Sequence, residues 1–238
     1  MTDKKNLSDI EQAKAIVKQA DKAFEQVGYI KNRCLAGTIV TEHLLQEQGW
    51  KVEHFPCRAD GYNKKMIEMI EEYRRLPTSN EEALEWKELG AKVVSIIPNH
   101  TGGKDVVASP MNGHYCLVAK KGQKYIFVDA ALGQFKRTLI ENGWVLDVPA
   151  TLVMEIPAEI YNQALRLNKL KIHKALDASS DDKPELSTHL PCGGYLTYRY
   201  ERIKSVDKLK SRPNSSEYKK TDLYLKKHNE VLKLIRKV

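Results

Sequence analysis

Residues 32–45 read NRCLAGTIVTEHLL and place a cysteine at the start of an apolar helix. Apolar side chains recur there at close to the helical period, and Gly49 follows as a stop signal. The preceding sequence GYIKN, at 28–32, predicts a loop. Cys34 is therefore expected in the first helical turn. Free backbone N–H groups and the positive end of the helix dipole stabilise a thiolate at that position.

A second segment supplies a histidine and a carboxylate. Residues 112–119 read NGHYCLVA, and residues 124–129 read KYIFVD. Together with the turn sequence KGQ at 121–123, they predict an antiparallel hairpin. This hairpin places His114, at the head of one strand, across from Asp129, at the end of the next, with both side chains on one side of the sheet.

A cysteine, a histidine and a carboxylate together carry out acyl transfer in many enzymes. The histidine takes the thiol proton, the carboxylate fixes the imidazole tautomer, and helix N–H groups hold the oxyanion. Cys34, His114 and Asp129 are therefore the predicted catalytic residues. Asn32 and Tyr29, just before the helix, are secondary candidates for stabilising the oxyanion. Each member of the trio alone also has a structural interpretation, but their order along the chain favours catalysis.

The remaining cysteines and histidines are weaker candidates. Cys57 and Cys116 lie in alternating apolar strands and are expected to be core thiols. His43 lies about nine positions from the start of its helix, too far for contact with the cysteine there. His54 and His100 are alternative bases, although neither has a carboxylate partner at a position that the sequence shows.

Composition and charge limit the class of protein. The chain has 238 residues, of which 42% are hydrophobic and 29% charged, as in ordinary globular proteins. No apolar run approaches the roughly 20 residues of a membrane span, and the first residues lack an apolar signal core. Four scattered cysteines without a CxxC pair predict reduced thiols in a cytoplasmic protein, with no disulfide framework, metal or cofactor. The net charge of +8 permits an acidic partner without requiring one.

The hydrophobic pattern predicts an α+β chain. Helices are expected at about 8–27, 66–74, 79–89 and 158–170, and strands at about 50–55, 92–97, 152–156 and 194–203. A turn is expected at 60–63, a loop beside the site at 99–112 and a surface linker at 177–184. Residues 1–203 form the predicted catalytic domain. Residues 204–238 form a basic tail with 11 Lys and Arg against 4 Asp and Glu, ending in an amphipathic helix.

These features resemble the papain-like cysteine fold in its transglutaminase-like form, as found in uncharacterised bacterial and phage members of that superfamily. The resemblance covers about residues 29–137. It depends on a cysteine at a helix start, on Gly113-His114 followed by the apolar strand YCLV, and on VDA at 128–130 followed by GQF at 133–135. It implies a nucleophile helix packed on an antiparallel sheet, with Gln134 and Phe135 lining the site.

The resemblance leaves the reaction open. Members of the superfamily hydrolyse peptides, transamidate or deamidate glutamine, and transfer acyl groups, so the fold alone does not choose among these reactions. The chain lacks the Arg-Gly-Gly-x-Cys sequence of arylamine N-acetyltransferases and the Trp beside the cysteine of many transglutaminases. The predicted function is a cysteine hydrolase or acyltransferase that acts on a protein, peptide or other amide or acyl substrate through a thioester.

The alternative is a catalytically idle binding module of the same fold, whose basic tail docks on an acidic protein or on nucleic acid. Aromatic residues punctuate the C-terminal region, but Tyr195, Tyr198 and Tyr200 alternate as strand residues do. Charged tails are usually solvated. Nucleic acid is therefore the less favoured partner. A membrane partner is not expected, and the oligomeric state is left open.

Overall fold

The computed structural model describes residues 8–26, 34–96, 113–136, 148–171, 174–175, 177–202 and 233–235. Within these residues the α-helices are α1 (Asp9–Gln26), α2 (Cys34–Glu47), α3 (Lys64–Tyr73), α4 (Asn80–Glu88) and α5 (Ala158–Lys169). The strands are β1 (Lys51–Tyr62), β2 (Val93–Ile96), β3 (His114–Lys121), β4 (Lys124–Asp129), β5 (Leu152–Glu155), β6 (Glu185–His189) and β7 (Tyr195–Tyr200). Short 3₁₀ helices cover Leu132–Lys136 and Ser180–Asp182.

The described strands form one antiparallel sheet in the order β5-β4-β3-β1-β7-β6, with β2 also paired to β1. The first half of β1, 51–57, pairs with β3, and its second half, 59–62, pairs with β2. From the other edge, β7 pairs with 57–62. Since each strand has two edges, β2 and β3 must lie end to end along the same edge of β1. Helices packed on this one antiparallel sheet confirm the α+β class.

The length of β1 corrects an expectation from the sequence. A turn is predicted at 60–63, but β1 runs through that position, and the prediction is wrong. Gly61, in the predicted turn, pairs with Val94 on one side and with Leu196 on the other. Two partners distant in sequence hold this backbone extended and override the local Asp-Gly turn signal. Asn63 follows the strand and caps α3 through its side chain.

Each face of the sheet has its own packed layer. On one face, Phe55 contacts Phe127 and Tyr200, each at a ring-centroid distance of 5.5 Å, and these rings pack with α5. On the other face, Leu117 and its neighbours pack against α1 and against Leu45 of α2. Burying each large apolar side chain stabilises the fold by roughly 1.5–3 kcal/mol. The two layers fix both helices relative to the strands that carry the site.

The helix that begins with a cysteine is confirmed. α2 starts at Cys34 and is followed by Gly49, whose φ of +82° is the left-handed conformation in which helices often end. The first predicted helix is confirmed as α1, where Ser8 Oγ accepts a hydrogen bond from the Glu11 backbone N–H at 3.3 Å. The hairpin is confirmed as β3 and β4, which turn at Gly122 with a φ of +59°.

The other predicted helices and strands are also present, as α3, α4, α5, β2, β5 and β7. The predicted loop at 99–112 and most of the basic tail lie outside the described residues. Ile235, near the end of that tail, packs against the contact between α1 and α2. The domain division at residue 203 stays a prediction. None of the helices in the described ranges has the length and apolar character that crossing a membrane requires.

Candidate active site

β3 and β4 bring His114 and Asp129 into hydrogen-bond contact. The register pairs Leu117 with Val128, which places Asp129 beside Cys116, two residues from His114. The two side chains are therefore diagonal neighbours on one face, and not directly across from each other as the sequence predicts. His114 Nε2 lies 2.7 Å from Asp129 Oδ2, and both side chains are fully buried.

Asp129 is held from three directions. Its Oδ1 accepts a hydrogen bond from the Ala131 backbone N–H at 2.9 Å. Its Oδ2 accepts one from the Tyr198 hydroxyl at 3.0 Å and also faces the imidazole of His114. The carboxylate is thus fixed in orientation, and it favours a proton on Nε2 of the histidine.

The surroundings of His114 favour its protonated form. Burial alone would lower the pKa of His114, but the charge and hydrogen bond of Asp129 and a hydrogen bond with Cys34 raise it. The resulting pKa lies well above the 6.5 of an ordinary histidine. Because Nε2 faces the carboxylate, Nδ1 is the ring nitrogen left for the thiol of Cys34.

Aromatic rings restrict the orientation of the imidazole. Phe135 meets the ring of His114 edge-on at a centroid distance of 5.7 Å. Tyr198 stacks on the same ring at 6.2 Å, with an angle of 26° between the planes. Tyr198 therefore contacts both the histidine and the carboxylate, and it couples the position of one to that of the other.

The first turn of α2 lies at the end of the hairpin. Thr38 Oγ1 donates a hydrogen bond to the backbone oxygen of Tyr115 at 3.0 Å. Gly37 packs against Ala130, since a Cβ at this position would lie 3.4 Å from both Cβ and O of Ala130, close to ordinary van der Waals contact. These contacts place Cys34, which is 6% exposed, beside the imidazole. As predicted, its thiol lies at a helix start, where backbone N–H groups lack helical acceptors.

Two further thiols lie close to this site. Cys57 and Cys116 are fully buried core residues, as the sequence predicts, and the Cys57 thiol donates to the backbone oxygen of His114 at 3.6 Å. Burial, a hydrogen bond with Cys57 and the charge of Asp129 raise the pKa of Cys116 well above its ordinary value. Cys116 is therefore a neutral thiol at neutral pH and a poor nucleophile beside Cys34.

The same cluster contains metal-binding residue types. Ligand atoms of His114, Cys116 and Asp129 lie within 4.8 Å of one another. Two ligands of a tetrahedral zinc ion, each about 2.05 Å from the metal, would be roughly 3.3 Å apart. His114 Nε2 and Asp129 Oδ2 are 2.7 Å apart. This separation fits a hydrogen bond, and a metal ion would have to break it in order to bind.

Some of the secondary candidate site residues lie outside the described ranges. Asn32, Tyr29 and His100 lie outside the described residues. Gln134 belongs to the 3₁₀ helix after β4, but its side chain is not among those described. Its neighbour Phe135 does contact the imidazole.

Two other histidines have carboxylate partners of their own. His43 Nε2 lies 3.2 Å from Glu47 on the exposed side of α2. His54 Nε2 lies 2.7 Å from Glu42 Oε2, a carboxylate partner at a position that the sequence does not show. That partner comes from a different element, so the local sequence does not reveal it. Glu42 is about 12 Å along the helix axis from Cys34, too far to assist the thiol.

Tyr198 is the site residue whose role the sequence does not reveal. It alternates with other tyrosines of β7, which marks it as a strand residue and no more. Its partner Asp129 lies 69 residues away along the chain. A buried tyrosine usually finds a hydrogen-bond partner, but the sequence alone does not identify which one.

Comparisons of this chain with protein-family models, with curated proteins and with solved structures found no match. The basis for a function is therefore the geometry of Cys34, His114 and Asp129.

Proposed function

We propose that the protein is a cysteine-nucleophile acyl-transfer enzyme with a papain-like, transglutaminase-like catalytic core. The observation that carries this proposal is the buried chain of hydrogen bonds from Cys34 through His114 to Asp129, at the N-terminus of α2. A buried ionisable network of this kind is costly to maintain, and strongly perturbed groups concentrate at functional sites.

The first half-reaction forms a thioester. The thiol proton of Cys34 moves to Nδ1 of His114, and the sulfur attacks the carbonyl carbon of an amide. The resulting oxyanion is stabilised by backbone N–H groups at the start of α2. When the C–N bond breaks, the proton on His114 passes to the leaving amine, and the acyl group stays on the sulfur.

The second half-reaction frees the enzyme. Water or a second amine gives a proton to His114 and attacks the thioester carbonyl. The C–S bond breaks, the sulfur regains its proton from His114, and an acid or a new amide leaves. Hydrolysis, deamidation and transamidation thus share one machinery and differ in the leaving group and the acceptor.

The electrostatics support Cys34 as the nucleophile. A histidine pKa well above its usual value favours an imidazolium beside the thiol, and the dipole of α2 favours the thiolate. The other three cysteines are also free thiols. A reducing compartment such as the cytoplasm suits all four, and we include that location in the proposal.

The test uses an activated ester, since the natural substrate is unknown. Cys192, an exposed thiol, is first replaced by serine to remove background labelling. The protein is then incubated with 4-nitrophenyl acetate, and acetylated peptides are identified by mass spectrometry. We expect one acetyl group, on Cys34, and none in a Cys34→Ser control. Acetylation spread over surface lysines, with Cys34 unmodified, would contradict the proposal.

The idle binding module is a second candidate because the tail at 204–238 carries 11 Lys and Arg against 4 Asp and Glu. This reading requires no acylation of Cys34. It requires instead that the tail bind a polyanion such as duplex DNA or polyglutamate, with an affinity that falls steeply as salt rises. Binding without acylation would favour the module, and acylation at Cys34 would favour the enzyme.

A further inference from the structure

A groove of about 820 Å³ lies between the second half of β1, β2 and the helices α3 and α4. Its floor carries Arg58, Asp60 and Tyr62, which alternate along β1 and therefore share one face of the sheet. Val93 and Ser95 face the same way, because they pair with Tyr62 and Asp60. The volume is within the range of about 300–1,000 Å³ that is usual for ligand sites.

The N-terminus of α2 points in the direction of the groove, although none of the described α2 side chains lines it. Thr38, near the start of that helix, bonds to Tyr115 at the beginning of β3, whereas Leu45, near its end, packs with Leu117 further along the strand. The N-terminus therefore points past the start of β3, toward β2, which continues the same line. His54 pairs with Leu117, which packs against α2, so the even-numbered residues of β1 lie on the face of the sheet that α2 covers. The β1 residues of the groove are also even-numbered. Arg58, the groove residue nearest in register to the start of β3, therefore lies at the end of the groove toward which the N-terminus of α2 points.

The walls of the groove are mostly apolar. Met66 of α3 and Trp86 of α4 are buried and line its interior. Leu76 and Val93 line it too, and they are 51% and 50% exposed. Large apolar side chains that are half exposed around a concave site favour an apolar ligand group.

Among the residues that line the groove, positive charges outnumber negative ones. Arg58 and Asp60 form an ion pair at 2.8 Å, so their charges offset each other. Lys87 and Lys92 also line the groove and are exposed. Neither ammonium group forms an ion pair with a carboxylate of the described ranges. An acidic group on the ligand would therefore complement this rim.

We propose that this groove binds the acyl donor of the proposed enzyme as an extended peptide segment that carries a bulky apolar residue and an acidic residue. The floor from Arg58 to Tyr62 is about 13 Å long, which matches about four extended residues. The apolar side chain lies against Trp86 and Met66, and the acidic group lies near Lys87 and Lys92. This inference rests on the proposed role of Cys34, because the groove presents the carbonyl of the bound segment to that thiol.

The experiment compares three activated esters as donors to Cys34. The small donor is 4-nitrophenyl acetate, which carries no peptide segment that could occupy the groove. The others are 4-nitrophenyl esters of the peptides acetyl-Glu-Trp-Gly and acetyl-Lys-Ala-Gly. We expect the acidic, aromatic peptide ester to acylate Cys34 at least about tenfold faster than the basic one. A Lys87→Glu/Lys92→Glu variant should remove this preference.

A matched variant controls for net charge. Lys18→Glu/Lys22→Glu changes two exposed lysines of α1, far from the groove, and should keep the preference. The groove proposal would be overturned if the two peptide esters acylate Cys34 at equal rates both in the parent and in Lys87→Glu/Lys92→Glu, the groove variant. If the small ester still acetylates Cys34, the proposed function stands. If Cys34 accepts no ester, the groove is tested by binding of fluorescent acetyl-Glu-Trp-Gly amide to the parent. If the groove variant binds this peptide as tightly as the parent does, the groove proposal is overturned as well.

Discussion

His114 Nε2 and Asp129 Oδ2 lie 2.7 Å apart with both side chains fully buried, at the end of a hairpin that faces the first turn of α2. In the proposed mechanism, this carboxylate–imidazole pair leaves the second ring nitrogen of His114 to exchange a proton with Cys34.

The first prediction concerns alkylation. At pH 6 to 7, a protonated His114 and the positive end of the α2 dipole both favour negative charge on the sulfur beside them, that of Cys34. We therefore expect iodoacetamide to modify Cys34 before Cys192, although Cys192 is exposed and Cys34 is nearly buried. Peptide mapping over time measures the order of modification. Modification of Cys192 first, with Cys34 last, would count against a reactive thiol at the helix start.

The second prediction concerns the role of the carboxylate. In Asp129→Asn, the amide oxygen still accepts the bond from Ala131, but an N–H group faces the imidazole. The amide favours the wrong tautomer, so acylation of Cys34 by an activated ester should fall roughly 100-fold or more. The free energy of unfolding should fall by no more than about 2 kcal/mol. A variant that does not fold would make Asp129 a structural residue.

The sequence places Cys34, His114 and Asp129 on the correct helix and strands for a physical reason. The start of α2, the two strands of the hairpin and the positions of Cys34, His114 and Asp129 depend on local periodicity and on nearby turn residues. The sequence predicts neither the part of β1 beyond Phe55 nor β6. Both depend on pairing with distant segments. Such pairing leaves little trace in the local pattern.

The same reason explains which contacts the sequence misses. Tyr198 reaches Asp129 across 69 residues, and Glu42 reaches His54 from a neighbouring helix. The groove needs α3 and α4 to fold over β1, an arrangement that no single stretch encodes. Side-chain partners from different elements therefore require the tertiary structure.

The third prediction concerns Tyr198. In Tyr198→Phe the ring that packs on His114 stays, but Asp129 loses a buried hydrogen-bond donor. We expect the free energy of unfolding to fall by about 1–3 kcal/mol, because a buried charged acceptor is left less satisfied. Urea unfolding of this variant beside Tyr195→Phe, a partly exposed tyrosine of the same strand, measures the difference. Equal stability of the two variants would mean that the hydroxyl bond contributes nothing.

The fourth prediction concerns the pH dependence of stability. The folded protein holds the proton of His114 more tightly than the unfolded chain does, because the folded pKa lies well above 6.5. The stabilising contribution of this group is therefore complete below about pH 6.5 and is lost as the pH rises through the raised pKa. The stability difference between the parent and His114→Gln should shrink from pH 6 to pH 9.

Urea unfolding at each pH measures that difference, and His43→Gln, at an exposed histidine, is the control. The change with pH found for His114→Gln is compared with the change found for this control. If the stability difference between the parent and His114→Gln grows with pH instead, His114 is neutral in the folded protein.

The most direct test of the central claim is the rate of Cys34 acylation by 4-nitrophenyl acetate from pH 5 to 9, in the parent and in His114→Ala. If His114 is the base that activates Cys34, the parent should react well below the pH at which a free thiol ionises. The variant lacks that base, so it should react much more slowly than the parent at pH 6 to 7, and the difference should narrow toward pH 9. Identical pH profiles for the two proteins would contradict the assignment of His114 as the partner of Cys34.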